Sequence, residues 1–177
     1  NGVPLQNAAR YKGFINCKAM GFTRLDDTQI GGIRITNESG VTYHYALPVY
    51  SYDEHQYSGR RDEEDRHFFN LYKKPSWYAY TWLLTAVTGP DFVDVNLNGY
   101  ADESDFGYWV NFEYGLWSRS YSWRNPAVGF NKDVDHNFDM FSKGKKQVYY
   151  LNAISTKSHT AFFVKELRAD GKGVVHE

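Results

Sequence analysis

Apolar and polar residues alternate along two well separated stretches of this chain. In IGGIRITNESGVTYHYALPVYSY, Ile33 and Ile35 alternate with Arg34 and Thr36. NESG then supplies turn residues, and Val41, Tyr43 and Tyr45 alternate on the return. That pattern predicts a β-hairpin, and Pro48 just beyond it predicts a bend or an edge position. Towards the other end, KQVYYLNAIST and HTAFFVKELR flank TKSH and predict a second hairpin, while GYWVNFEYG predicts a further strand. One stretch has a different period. In PSWYAYTWLLTAVTGP, the residues Trp77, Tyr80, Leu84 and Val87 recur at three- and four-residue steps. Such spacing makes one apolar helical face. Ser76 stands ready to cap it, and Gly89 with Pro90 would end it. The expectation is a helix near residues 76–88 whose aromatic stripe packs into the core.

The intervening DEHQYSGRRDEEDRH, from Asp53 to His67, carries both charge signs and almost no apolar residue. It is expected to be an exposed loop, since it has little surface to bury. Residues 1–10 read as a lead-in segment and 171–177 as a tail, leaving a single domain over 11–170. The fold class expected is β-rich, formally α+β: an antiparallel sheet or sandwich with one packed helix. The chain opens NGVPLQNAARYKGF, with neither Met nor an apolar leader core. A piece of a longer chain or a processed mature end is therefore expected.

Composition narrows the functions. Aromatic residues make up 18%, with 15 Tyr, 12 Phe and 5 Trp, an excess that suits strands and half-buried sheet faces. Lys and Arg number 20 against 21 Asp and Glu. No basic excess exists to hold a phosphate backbone, which argues against nucleic acid as a partner. Cys17 is the one cysteine, so an intramolecular disulfide and a multi-cysteine zinc site are excluded. The longest aromatic and apolar run, Trp77 to Val87, is too short and too hydroxylated to span a bilayer, so membrane insertion is not expected.

The sharpest chemical signal is DVNLNGYADESD, Asp94 to Asp105. A calcium ion takes six to eight oxygens, and a twelve-residue EF-hand loop supplies them from positions one, three, five, seven through its carbonyl, nine and twelve, with glycine at six. Here those positions hold Asp94, Asn96, Asn98, Tyr100, Asp102 and Asp105, with Gly99 at six. Every slot has an oxygen donor. Two departures stand out: Asp105 replaces the usual bidentate Glu, and Ala101 occupies the aliphatic position eight. The flanks also differ, because Gly89 and Pro90 precede the loop and a strand pattern follows it. The loop resembles the aspartate-terminated calcium loops of dockerin modules and thrombospondin type 3 repeats, which are structural in those families. Three carboxylates predict an affinity of roughly 0.1–1 mM, useful only where calcium is plentiful, outside the cell. A second run, Asp133, Asp135, Asn137 and Asp139, shares the spacing by twos but lacks the glycine. It is either a further ion site or a partner strand.

Other candidate chemistry is thinner. The six histidines fit no H-E-x-x-H pattern, and neither G-x-S-x-G nor a P-loop occurs. His44 is expected to be structural, and His136 lies among aspartates. Trp117, Trp123 and Arg124 form a candidate ligand surface for sugar rings, against the plainer reading that the two indoles pack the sheet. GVTYHYALPVYSY, the segment from Tyr78 to Gly115, YSWRNP and VYYLNAISTKSHTAFFVKE together resemble a segment within very long secreted or surface proteins of Gram-negative bacteria. That likeness runs from Gly40 to Glu166 and implies a module of a larger extracellular protein, with no activity attached. The function expected is a calcium-stabilised structural or interaction module, adhesion-type, engaging a protein or glycan partner. A carbohydrate-binding module is the alternative, and a hydrolase domain stands behind both.

Overall fold

The computed structural model describes residues 13–17, 29–60, 68–73, 77–124, 131–132 and 138–166. Ten strands follow in order: β1 Ile33–Thr36, β2 Thr42–Tyr45, β3 Leu47–Arg60, β4 Phe68–Lys73, β5 Tyr78–Leu83, β6 Ala86–Thr88, β7 Trp109–Arg124, β8 Asn131–Lys132, β9 Phe138–Thr156 and β10 Thr160–Phe162. Every strand pair is antiparallel. Among the described residues there is no helix, and so none long and apolar enough to cross a membrane. The lead-in 1–10, the tail 171–177 and residues 133–137 lie outside the described residues.

Both alternating stretches form the hairpins their pattern predicts. β1 and β2 pair Ile33 with Tyr45 and Thr36 with Thr42. Asn37 makes the turn: its Oδ1 accepts from the Ser39 and Val41 amides at 3.0 and 2.9 Å, the local side-chain bond that favours Asn in turns. At the other hairpin Thr160 pairs with Ser155 and Phe162 with Ala153.

The strand order β1-β2-β6-β7-β9-β3-β4 curls on itself. β2 runs into β3 through Ala46, and β5 runs into β6 through Leu84 and Thr85. These two composite strands pair with each other in one register, His44 with Ala86 and then Leu47 with Leu83. β6 goes on to pair β7, β7 pairs β9, and β9 pairs β3. The chain of pairings is a ring. Leu47, Tyr50 and Cys17 are buried together, with Leu83, Tyr114 and Tyr149 packed against them. A second cluster joins Ile15, Ala86, Ala101 and Trp109, with Phe92 alongside. Burying each large apolar side chain of these clusters stabilises the fold by about 1.5–3 kcal/mol.

The expected helix at 76–88 is not there; residues 78–83 and 86–88 are β5 and β6, and Ser76 lies outside the described residues. The stretch is rich in Trp, Tyr and Thr, which suit strands. β3 offers it a complete partner, from Leu47↔Leu83 to Ser51↔Tyr78. Two members of the supposed apolar stripe, Trp77 and Tyr80, are exposed, while Thr85, Ala86 and Thr88 are buried. The helical spacing was a coincidence that sheet pairing overrode. The first part of the expected charged loop is strand as well, because Asp53 to Arg60 continues β3 between β4 and β9; residues 61–67 lie outside the described residues.

Candidate metal centre

The acidic loop sits inside the connection between two strands that already pair. β6 and β7 match Thr88 with Trp109 and Ala86 with Asn111, and residues 89–108 join them. Val93 and Phe106 bridge across the base of the loop, each amide donating to the other's carbonyl at 3.0 and 3.2 Å. The twelve candidate positions are therefore a closed excursion on a two-residue neck. Gly107, at φ +83, lies against the Asp91 backbone; a Cβ there would come within 2.2 Å of the Asp91 carbonyl. Only glycine makes that return.

Within the loop the side-chain oxygens turn inward. Asp94 accepts from the Asn98 amide at 3.1 Å and the Gly99 amide at 2.9 Å. Asn96 Oδ1 also takes the Asn98 amide, at 3.0 Å, and Asn98 Oδ1 takes the Tyr100 amide at 2.8 Å. Asp105 is fully buried. Its two oxygens accept from the Val95 and Asp102 amides, both at 3.0 Å, which ties positions two and nine to position twelve. Gly99 has φ 74, the sharp turn expected at position six, and Leu97 is also left-handed at φ 55. Asp102 accepts from the Ser104 amide and hydroxyl and from the Asn98 Nδ2 amide at 2.7 Å. The Ser104 hydroxyl foremost, and the Asn98 amide next, hold the Asp102 carboxyl down to about 2. It is an anion at any ordinary pH.

Three contacts anchor the loop to distant parts of the chain. Ala101, at position eight, is buried in the cluster with Ile15, Ala86 and Trp109. The Asn16 amide donates to Gly99 O at 2.8 Å, and Asn16 bridges Tyr100 in parallel. Lys157, in the turn before β10, donates to Asp105 O at 3.1 Å. The strap Gly13–Cys17 thus lies between the loop and the sheet. On its sheet side the Ile15 amide donates to His44 Nδ1 at 3.2 Å, and Thr85 Oγ1 reaches the Ile15 carbonyl at 2.6 Å. Ser104 and these anchors escaped the sequence. Ser104 lies outside the donor positions of a calcium loop, and the anchors are distant in the chain.

The residue types and their order suit a hard cation, but in this conformation they serve the loop's own amides. Among the described residues no three His, Cys, Asp or Glu side chains gather tightly enough to hold an ion by themselves. Half of the donors named from the sequence are Asn side chains and the Tyr100 carbonyl. Of the second run, Asp133, Asp135 and Asn137 lie outside the described residues, as does the side chain of Asp139.

The candidate ligand surface divides. Trp117 is 60% exposed and meets Tyr150 edge to face at 5.4 Å. Trp123 is half-buried over Gly144, and Arg124 is exposed at the strand's end. His44 is structural, as expected: buried, and bonded through both ring nitrogens. Burial pushes the Cys17 thiol up to about 12, leaving it no nucleophile. Comparison with models of protein families, with curated proteins and with solved structures found no match to this chain.

Proposed function

We propose that the chain is a calcium-stabilised structural or interaction module of a larger bacterial surface protein, working outside the cell on a protein or glycan partner. The observation that carries this reading is the run of oxygen donors at Asp94, Asn96, Asn98, Tyr100, Asp102 and Asp105 on a loop closed at its neck, with Gly99 left-handed at position six. An ion there draws the three carboxylates together and replaces the amide hydrogens that now face Asp102. Its binding free energy then adds to folding free energy. With an affinity of roughly 0.1–1 mM, about 5 mM calcium stabilises the fold by about 1–2 kcal/mol. For a domain of this size that is a rise in melting temperature of roughly 2–8 °C.

The test is thermal melting with calcium and with chelator. The rise is expected with calcium and is abolished in Asp94→Ala. A melting temperature that ignores millimolar calcium would overturn the proposal. A second reading, carbohydrate binding, is favoured by one observation: Trp117 and Tyr150 form an exposed aromatic pair on neighbouring strands. A glycan array with a Trp117→Ala control decides it.

A further inference from the structure

A second place in the fold is irregular in several ways at once, far from the acidic loop in sequence. The register between β3 and β9 slips between Tyr52↔Lys145 and His55↔Lys143. Asp53 and Glu54 together therefore oppose Gly144. Such bulges re-aim side chains and collect beside functional sites. Asp53 takes φ 54, a left-handed conformation for a residue with a Cβ, the sort of outlier from which function is fairly inferred. Gly144 accommodates the bulge: a Cβ there would meet Trp123 Nε1 at 3.1 Å and the Glu54 Cα at 3.2 Å.

These features border a cavity of about 330 Å³ whose walls include Asp53, His55, Ser122, Trp123, Lys143 and Lys145. Its charge is lopsided. The Asp53 carboxylate is shared by His55 Nε2 at 3.0 Å, Lys145 Nζ at 3.5 Å and Lys73 Nζ at 3.9 Å. The Lys143 ammonium lies 5.5 Å from the Tyr57 ring centre and has no carboxylate partner among the described residues. Two wall residues also hold buried polar atoms without a hydrogen-bond partner among the described residues, His55 Nδ1 and Trp123 Nε1. A buried group left so costs about 1–3 kcal/mol.

We infer that this cavity binds a small molecule bearing an oxyanion, a carboxylate or phosphate, seated between Lys143 and Lys145 and against His55 and Trp123. The excess of ammonium over carboxylate selects the anion. The volume admits a molecule of monosaccharide size. Asp53, His55 and Ser122 are the residue types of a nucleophilic triad, but His55 Nδ1 is buried and no hydrogen bond joins it to Ser122 among the described residues. The geometry therefore supports binding and not catalysis. The inference is independent of the calcium reading.

The test is a titration of the 15N-labelled chain in calcium-free buffer with glucuronate, with inorganic phosphate and with glucose. The expected result is a saturable shift of the Trp123 indole N–H with one or both anions and none with glucose. Shifts with glucuronate alone identify an acidic sugar; shifts with both identify the oxyanion itself. Lys143→Gln, which breaks no ion pair among the described residues, is expected to weaken binding tenfold or more, about 1.4 kcal/mol, with the melting temperature unchanged. No saturable shift up to roughly 10 mM of either anion, an equal response to glucose, or full affinity in Lys143→Gln would each overturn the inference.

Discussion

Acidification should loosen this fold through His44, and the size of the effect follows from its surroundings. His44 Nδ1 accepts the Ile15 amide at 3.2 Å, so that nitrogen carries a lone pair. The proton resides on Nε2, 3.0 Å from Thr88 Oγ1. Protonating Nδ1 would set two N–H groups against each other and place a charge in a buried site, with Arg34 opposite on β1. Burial first, and Arg34 second, bring the imidazole down to about 4 from its ordinary 6.5. Between those values the unfolded chain takes up a proton that the folded chain refuses. Stability from His44 is therefore complete above about pH 6.5 and falls as pH drops towards 4, where the folded imidazole also charges. At 1.36 kcal/mol per unit of pKa, the loss is about 3 kcal/mol.

The assay is urea unfolding followed by tryptophan fluorescence across that pH range, for the native sequence and for His44→Gln. Asp and Glu titrate alike in both proteins, so the difference between them isolates His44. The native advantage should shrink steadily as pH falls. A difference that stays constant from about pH 7.5 to 4 refutes the assignment. Protection of the Ile15 and Asn16 amides, taken relative to the intrinsic exchange rate at each pH, should fall in the same window, because the strap hangs on the Nδ1 bond.

Two further outcomes are expected. Gly107→Ala should destabilise the protein by more than about 1 kcal/mol from its φ of +83 alone, with the 2.2 Å approach to Asp91 adding to that; chemical denaturation measures it, and an unchanged midpoint sinks the account of the neck. Cys17, buried with its thiol raised to about 12, should resist a maleimide reagent in buffer and react fully in denaturant; labelling of the folded chain at the denatured rate contradicts its place in the core.

How much of this was legible depends on the range of the interactions involved. The Ile33–Tyr45 hairpin could be read because alternation and the NESG turn are local, and Asn37 supplies its own bonds. The donor order of Asp94–Asp105 could be read for the same reason. Residues 76–88 could not: their three- and four-residue spacing matched a helix, and only the register with β3 decides otherwise. The polar half of β3 was hidden because Asp53, Glu54 and His55 occupy a bulge held by side chains from β4 and β9.

Finding strands on both sides of the acidic loop also changes what an ion would do there. Between a helix and a strand it would hold two elements together. Between β6 and β7 that work is already done by the pairing from Ala86 to Trp109, and the entropy of closing a flexible connection grows only slowly with its length. An ion's leverage would fall instead on what leans against the loop. Asn16 is bonded to Gly99, Ala101 packs on Ile15, and Lys157 holds the carbonyl of Asp105. An ion that held the loop would therefore also hold the strap and the β9–β10 turn. Added calcium should slow amide exchange most at Ile15 and Asn16, beyond any change at Val87 and Val110. Equal slowing at all four would mean that the ion acts on the sheet as a whole and that the strap is not its lever.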